Sequence, residues 1–214
     1  MDLRDVMATT NACRYYKDKE VSDASLERIL DSARWAPTGS NKQPVTFVVI
    51  RDIEKRQALH DLYQPLWDGV MEKYASGDIG AGFKPGFLQH VDYYAKHLAK
   101  IPIMIVVCAA MNDIVPVDAD YGRPSVTGGA SIYPAVQNLI LSARNEGLGT
   151  TLTTLLCLVE PEVKTLLDIP EGLGTAAMVT VGWPEKQFPK KLDRKPLSEV
   201  AFLDSYGTAF VRSE

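Results

Sequence analysis

The chain has 214 residues, a formal net charge of −4 at pH 7 and three cysteines. Its 46% hydrophobic and 23% charged residues are ordinary for a soluble globular protein, and its length suits one domain over residues 1–214. The absence of a long lysine and arginine tract argues against nucleic acid or an anionic membrane as a partner. The longest apolar run, 101–111, is too short to cross a bilayer, and three scattered cysteines suit a reducing compartment. A cytoplasmic protein is therefore expected.

The predicted elements do not alternate regularly between strand and helix. Apolar residues recur at helical spacing in several segments, which predicts helices at 2–10, 25–34, 53–59, 129–146 and 161–167. Other segments are rich in β-branched residues, which predicts strands at 45–50, 102–110, 150–154 and 176–183. Asp2 is predicted to cap the first helix, and Gly147 to end the long one. This order predicts an α+β sandwich around one sheet, and not a doubly wound nucleotide-binding fold.

Residues 63–100 form a different region, rich in aromatic residues and glycine. A flexible loop at 77–86 is predicted between two helices, and the whole region is interpreted as an insertion that covers a site. The aromatic side chains predicted to touch a substrate are Trp67, Phe83 and Phe87. The alternative is that these rings only pack two additional helices onto the domain.

The loop at 36–44 carries the most informative pattern of the chain. It reads Ala-Pro-Thr-Gly-Ser-Asn-Lys-Gln-Pro and lies between a predicted helix and a predicted strand. It offers hydroxyl, amide and backbone N–H groups but no acid–base pair and no metal ligand. Such a loop suits a flat polar heterocycle that brings its own chemistry, although small polar residues and proline also build ordinary connections. The predicted binding residues are Pro37, Thr38, Gly39, Ser40, Asn41 and Gln43.

Other catalytic patterns find no support in the sequence. The three histidines, His60, His90 and His97, lack the spacing of metal ligands, and no Gly-x-Ser-x-Gly motif occurs. The glycines at 147–149 follow a helix, whereas a dinucleotide-binding glycine loop opens one. We therefore predict no metal site and no catalytic side chain of the protein's own.

Several motifs occur in the order found in the FMN-dependent nitroreductase family, which the chain therefore resembles. They are the N-terminal motif, the loop at 36–44, the segments 147–150, 169–172 and 181–184, and the basic tail at 190–197. The resemblance implies a central, mostly antiparallel sheet between helices, in an intertwined homodimer with FMN at the subunit interface. It also implies NADH or NADPH as hydride donor and an electron-poor acceptor such as a nitroaromatic or a quinone.

The resemblance also assigns roles to individual residues. Arg14, Lys191 and Arg194 are predicted to bind the flavin phosphate. Backbone N–H groups within 154–157, above all those of Leu156 and Cys157, are predicted to reach flavin N5 and O4. The chain departs from the family at Thr10-Asn11-Ala12, where Arg-Arg-Ser or Arg-His-Ser is usual. This departure leaves open a deazaflavin or a loosely held FMN in place of a tightly bound FMN. Two further alternatives share the flavin motifs: a flavin-binding storage or sensing protein without turnover, and an enzyme that consumes flavin or reduces one particular metabolite.

Overall fold

The architecture is built on a four-stranded antiparallel sheet, seen in a computed structural model that describes residues 1–78 and 86–210. In chain order the strands are β1 (Val45–Ile50), β2 (Ile103–Ala110), β3 (Gly149–Thr153) and β4 (Leu173–Gly182). Their order across the sheet is β1-β2-β4-β3, so β1 and β3 form its two edges. Every neighbouring pair runs antiparallel, as predicted.

Helices cover both faces of this sheet. In chain order they are α1 (Leu3–Thr9), α2 (Asp23–Arg34), α3 (Ile53–Ser76), α4 (Phe87–Lys96), α5 (Tyr133–Asn145) and α6 (Glu160–Leu167). Successive residues of β2 point to opposite faces. Ile105 packs in one core cluster with α2 and α5, whereas Met104 packs in the other with α3, α4 and α6. The predicted α+β sandwich with helices on both sides of the sheet is therefore confirmed.

Local signals place several helix ends correctly. The Asp2 carboxylate accepts a hydrogen bond from Arg4 N at the start of α1, and Ser22 Oγ accepts one from Ser25 N at the start of α2. Gly147 follows α5 with φ of 81°, a left-handed conformation that glycine adopts without steric cost. The helix predicted to begin at residue 129 begins at Tyr133 instead, because residues 129–132 form tight turns before the chain becomes helical.

The short helix predicted at 53–59 is wrong, because α3 continues for 24 residues to Ser76. Its buried residues Leu59, Tyr63 and Trp67 are spaced four apart on one face and lie in the core cluster of α3, α4 and α6. The region proposed as an insertion, 63–100, therefore starts in the middle of a helix. Most of the loop predicted inside it, residues 79–85, lies outside the described residues.

Candidate functional site

The position of Arg14 is set by a short segment that runs beside edge strand β3. Ala12 forms a parallel bridge with Thr150, and Cys13 N donates to Thr150 O at 2.8 Å. The close approach requires glycine at position 149, where an added Cβ would lie 2.7 Å from both Cβ and Sγ of Cys13. The half-buried Arg14 guanidinium then lies 4.9 Å from the centre of the Phe87 ring, at cation–π distance.

Arg14 forms one wall of a groove of about 260 Å³ between α3, α4 and the end of β3, called here the Arg14 groove. Most of its lining is apolar or aromatic, and among the described residues Arg14 is the one charged side chain that borders it. The lining residues are Arg14, Tyr63, Trp67, Val70, Phe87, Leu88, Val91, Tyr94, Thr151, Leu152, Thr153, Thr154 and Leu155. A groove of this composition suits a flat ring with one anionic or strongly accepting edge.

Buried hydroxyls lie beneath the Arg14 groove. Tyr94 OH and Tyr16 OH are 3.2 and 3.0 Å from the same atom, Thr180 Oγ1. Burial raises the pKa of both tyrosines, so both stay neutral at physiological pH. The described lining of the groove also contains no carboxylate or histidine that could act as a general acid or base.

A smaller cavity of about 190 Å³ lies on the other side of Arg14, towards the end of α1. Its lining includes Arg14, Asn11 and Lys186. Lys186 Nζ lies 4.1 Å from the centre of the Tyr15 ring, and the Glu185 N–H donates to Tyr15 O at 3.0 Å. Sequence reasoning missed Lys186, because only this backbone pairing brings residues 184–188 beside the N-terminal segment.

The structure places the two predicted cations of the C-terminal tail differently. Leu192 N donates to Ala8 O at 2.8 Å, which holds the neighbouring Lys191 beside the end of α1. Arg194 is exposed, and its Nη1 donates to the carbonyl of Asp193 at 2.7 Å. Neither residue is among the described residues that line the Arg14 groove or the smaller cavity, so their binding of a phosphate stays a prediction.

The loop at 36–44 has an unusual backbone. Ser40, Asn41 and Gln43 have φ of 52°, 53° and 51°, values that residues with a side chain rarely adopt. The conformation is held by Gln43 N, which donates to Thr38 Oγ1 at 3.0 Å, and by Gly39 N, which donates to Ser131 Oγ at 3.0 Å. Asn41 and Gln43 are exposed, so their amides are accessible to a ligand.

This loop and Arg14 lie at opposite edges of the sheet. The loop leads directly into β1, whereas Arg14 follows the bridge that its segment makes with the outer edge of β3. The order β1-β2-β4-β3 puts four inter-strand spacings, about 19 Å, between the two backbones. The structure of one chain therefore does not bring the two predicted halves of the site together.

The segment after β3 lies beside the groove. Thr154 and Leu155 line the groove, whereas Leu156 is buried in the core cluster of α3, α4 and α6. The Cys157 N–H donates to Thr154 O at 3.0 Å and is thus already used within the chain. Within the predicted range 154–157, Thr154 and Leu155 are the residues that line the groove, and contact of any of them with a flavin stays a prediction.

The three residues predicted to cover a substrate have different surroundings. Trp67 is 7% exposed and packs in the core, and its indole N–H donates to Asp92 at 3.3 Å. Phe87 is only partly buried and faces both Arg14 and the groove. Phe83 lies outside the described residues. Contact of these rings with a substrate stays a prediction, and Trp67 has a structural role in either case.

Within residues 1–78 and 86–210, no helix has both the length and the apolar character needed to cross a bilayer. The same part of the chain holds no group of three or more histidine, cysteine, aspartate or glutamate side chains placed to bind a metal ion.

The chain is similar to known proteins in both sequence and structure. A protein of Archaeoglobus fulgidus named "Putative NADH dehydrogenase/NAD(P)H nitroreductase" is 28% identical over 192 residues, 87% of this chain and 88% of that protein. The solved structure of oxidized iodotyrosine deiodinase with FMN and 3-iodo-L-tyrosine superposes with a TM-score of 0.69 at 20% identity, covering 96% of this chain and 99% of that one. A nitroreductase with bound FMN from Desulfitobacterium hafniense gives 0.69 at 18% identity, covering 95% and 99%. The family model described as "Nitroreductase family" matches residues 7–183. Because this match spans most of the chain, the protein belongs to the nitroreductase family.

Proposed function

We propose that this protein is an FMN-dependent oxidoreductase that takes hydride from NADH or NADPH and passes it to an electron-poor acceptor such as a nitroaromatic or a quinone. The observation that carries the proposal is the Arg14 groove, which joins one half-buried cation to aromatic walls and holds no acid–base pair among its described residues. Family membership supports a flavin as the group that fits there. The chain's free cysteines, Cys13, Cys108 and Cys157, suit the reducing cytoplasm as its location.

The residues around Arg14 fit FMN in charge and shape. Arg14 would face the polar edge of the flavin ring, and the groove's apolar side chains would contact its faces. Lys186, beside Asn11 in the smaller cavity, would attract the phosphate, with Lys191 close by at the end of α1. These two lysines supply positive charge near Thr10 and Asn11, where the usual family cation is missing.

The flavin, when bound, supplies the hydride chemistry, so the protein's own residues bind, orient and exclude water. The buried hydroxyls of Tyr16 and Tyr94 remain neutral and bind Thr180 of β4 beneath the groove. Because these hydroxyls are neutral, they add no net charge next to a flavin ring that changes between oxidised and reduced states. Phe87, Leu88 and Val91 would limit access of water from the side of α4.

We further propose that two copies of the chain complete each site. A flavin ring cannot contact Arg14 and the loop at 36–44 of one chain across about 19 Å, but it can when the loop comes from a second copy. Most of the loop is exposed, which leaves its amides accessible to a neighbouring subunit. A homodimer with two shared sites follows from this arrangement.

The visible spectrum of the purified protein tests the redox proposal. A yellow protein is expected that bleaches under anaerobic NADH or NADPH and recovers its colour when a quinone is added. A yellow protein that neither nucleotide bleaches would contradict turnover and favour the storage or sensing alternative. A colourless protein that does not take up added FMN would contradict flavin binding itself.

A complementation experiment tests the shared site. Arg14→Ala and Asn41→Ala are each expected to lower flavin content when expressed alone, because each removes a binding group from both sites. In a mixed dimer of the two variants, one site would carry both changes and the other none. About one flavin per mixed dimer supports the shared site. A mixed dimer as poor in flavin as its parents would show that Arg14 and the loop serve the same site from one chain.

A further inference from the structure

A second cleft, called here the Arg56 cleft, opens beside the Arg14 groove and has a different chemistry. Its volume is about 470 Å³, and it lies between the start of α3, the end of α4 and residues 14–18. Arg14 and Tyr94 line both cavities, so a ligand in one lies next to a ligand in the other. The flavin-binding role proposed above does not use this cleft.

The floor of the Arg56 cleft is cationic and rigid. Arg56 Nη1 donates to Ala99 O at 2.7 Å and to Ile101 O at 2.6 Å, and its Nε donates to Arg51 O at 3.2 Å. These three bonds fix the guanidinium and leave both Nη2 hydrogens unused within the described residues. Burial lowers the pKa of Arg56, yet a guanidinium stays charged at any physiological pH.

The charged groups of the Arg56 cleft differ in how deeply they are buried. Arg14 is half-buried on the floor with Arg56, whereas Lys100, Asp18 and Glu185 are exposed at the rim. Among the described residues neither Arg56 nor Lys100 forms an ion pair with a carboxylate. Solvent screens the rim carboxylates, so the floor favours an anion despite them.

Aromatic rings form a firm side wall. His97 stacks on Tyr93 with ring centres 4.0 Å apart and planes at 17°, and Tyr93 stacks on Tyr15 at 4.5 Å and 28°. His97 Nδ1 donates to the Tyr93 carbonyl at 2.8 Å, which fixes the imidazole. The cleft is therefore shaped before any ligand binds, and binding would cost little ordering of these side chains.

We propose that the Arg56 cleft binds a phosphate monoester on the nucleotide cosubstrate, the 2′-phosphate that distinguishes NADPH from NADH. A fixed guanidinium with two free N–H groups suits phosphate oxygens, and arginine is the usual partner of a 2′-phosphate in nucleotide sites. The assignment rests on the proposed function in one respect, since the flavin in the Arg14 groove places the dinucleotide beside this cleft. It predicts that the protein prefers NADPH.

Binding of nucleotide fragments to the flavin-loaded protein tests this proposal without turnover. Calorimetry would compare adenosine 2′,5′-bisphosphate with 5′-AMP, which lacks only the 2′-phosphate. The bisphosphate is expected to bind roughly tenfold or more tightly, the effect of one charge-assisted contact. Equal affinity for the two fragments would overturn the assignment, as would loss of 5′-AMP binding in Arg56→Lys or Lys100→Gln.

Three variants locate the binding group. Arg56→Lys keeps the positive charge but removes the planar guanidinium that can donate two parallel hydrogen bonds. It is expected to weaken bisphosphate binding about tenfold. Lys100→Gln changes an exposed rim residue without touching the bonds that Arg56 makes, so it tests the cleft even where Arg56→Lys destabilises the fold. Lys55→Gln is the matched control, because Lys55 lies beside Arg56 on α3 outside the cleft. Unchanged binding in both Arg56→Lys and Lys100→Gln would refute the proposal.

Steady-state kinetics with NADPH and NADH distinguish the proposal for the Arg56 cleft from the proposed reductase function. If the flavin reductase proposal holds, the ratio of kcat/KM for NADPH to that for NADH falls about tenfold in Arg56→Lys, with the NADH value unchanged. A ratio that stays constant would overturn the assignment to NADPH. Bisphosphate binding that depends on Arg56, in a protein that oxidises neither nucleotide, would support the cleft while contradicting the proposed function.

Discussion

The close approach of the Arg14 segment to β3 gives a sharp prediction about Gly149. A Cβ added at this position would lie 2.7 Å from Cβ and Sγ of Cys13, and Cβ cannot move without its backbone. The Cys13 backbone is in turn bonded to Thr150 at 2.8 Å. Gly149→Ala is therefore expected to push the segment away from β3 and, with it, the side chain of Arg14.

The size of the effect follows from two opposing contributions. Overpacking of a well-packed interior lowers the free energy of unfolding by about 1–3 kcal/mol. Replacing glycine by alanine reduces the conformational entropy of the unfolded chain, which raises the free energy of unfolding by about 0.4–1 kcal/mol. A net loss of about 1–2 kcal/mol corresponds to a Tm lower by roughly 2–8 °C for a domain of this size. Because Arg14 moves too, flavin should dissociate from the variant more readily than from the wild type.

Gly174→Ala is the matched control within the same sheet. Its added Cβ would lie 2.6 Å from Met111 Sδ, an equally short distance. However, Met111 is 52% exposed and can rotate its flexible side chain away. This variant should therefore keep nearly the wild-type Tm and flavin affinity, although the two substitutions look alike in sequence.

Thermal unfolding followed by circular dichroism, together with flavin content, measures both variants. The loss of Tm caused by Gly149→Ala should be small when Cys13 is already glycine, because the clashing Cβ and Sγ are gone. When Cys13 is alanine, which keeps Cβ, Gly149→Ala should still cost part of the stability. The reasoning is refuted if Gly149→Ala is as stable as Gly174→Ala, or if Cys13→Gly shows no coupling to it.

Three further predictions concern charge and access. Hydrogen bonds from two hydroxyls, a backbone amide and a guanidinium hold the pKa of Asp118 well below its usual range, so Asp118→Asn should lower Tm at pH 7. The stabilisation needs the carboxylate, so this difference should shrink below about pH 4 as the unfolded chain takes up a proton; a gap that stays constant to pH 2 would contradict it. Arg194→Ala should weaken FMN binding more than riboflavin binding, and equal losses for the two ligands would exclude a phosphate contact. Phe87→Ala should change kcat/KM for bulky acceptors with FMN content intact; an unchanged acceptor profile with lower Tm would show that the ring only packs.

Sequence patterns were most informative where a neighbouring residue decides the structure. The β-branched run at Val45–Ile50 predicted its strand to the residue, and Asp2 and Gly147 marked helix ends through their own hydrogen bonding and backbone freedom. The short helix at 53–59 failed for a different reason. Beyond Leu59 the helix is maintained by burial of Tyr63 and Trp67 against distant parts of the chain, and such contacts leave only a weak local signal.

The candidate site shows the same division between local and distant effects. Resemblance to a family directed attention to Arg14 and to the loop at 36–44, yet their separation across the sheet follows only from the strand order. Lys186 and Arg56 enter the description through backbone pairing and helix packing, which join segments far apart in sequence. Both lysines and arginines are common on solvated surfaces, so composition alone could not have distinguished these two from their neighbours.

The two edges of the sheet hold their parts of the proposed site in different ways. The edge at β3 holds Arg14 through a backbone bridge and the glycine at 149, so its geometry is fixed within one chain. The edge at β1 presents a loop with three positive φ values, held by Thr38 and Ser131 rather than by a strand partner. Such a strained loop persists only because the surrounding hydrogen bonds hold it in place.

If a second copy supplies this loop to each flavin, binding of the cofactor and association of the subunits stabilise each other. Removal of flavin should therefore shift the dimer towards monomer, and dilution should release flavin, which sedimentation at several concentrations with and without added FMN would measure. A dimer equally stable with and without flavin would place the loop outside the shared site.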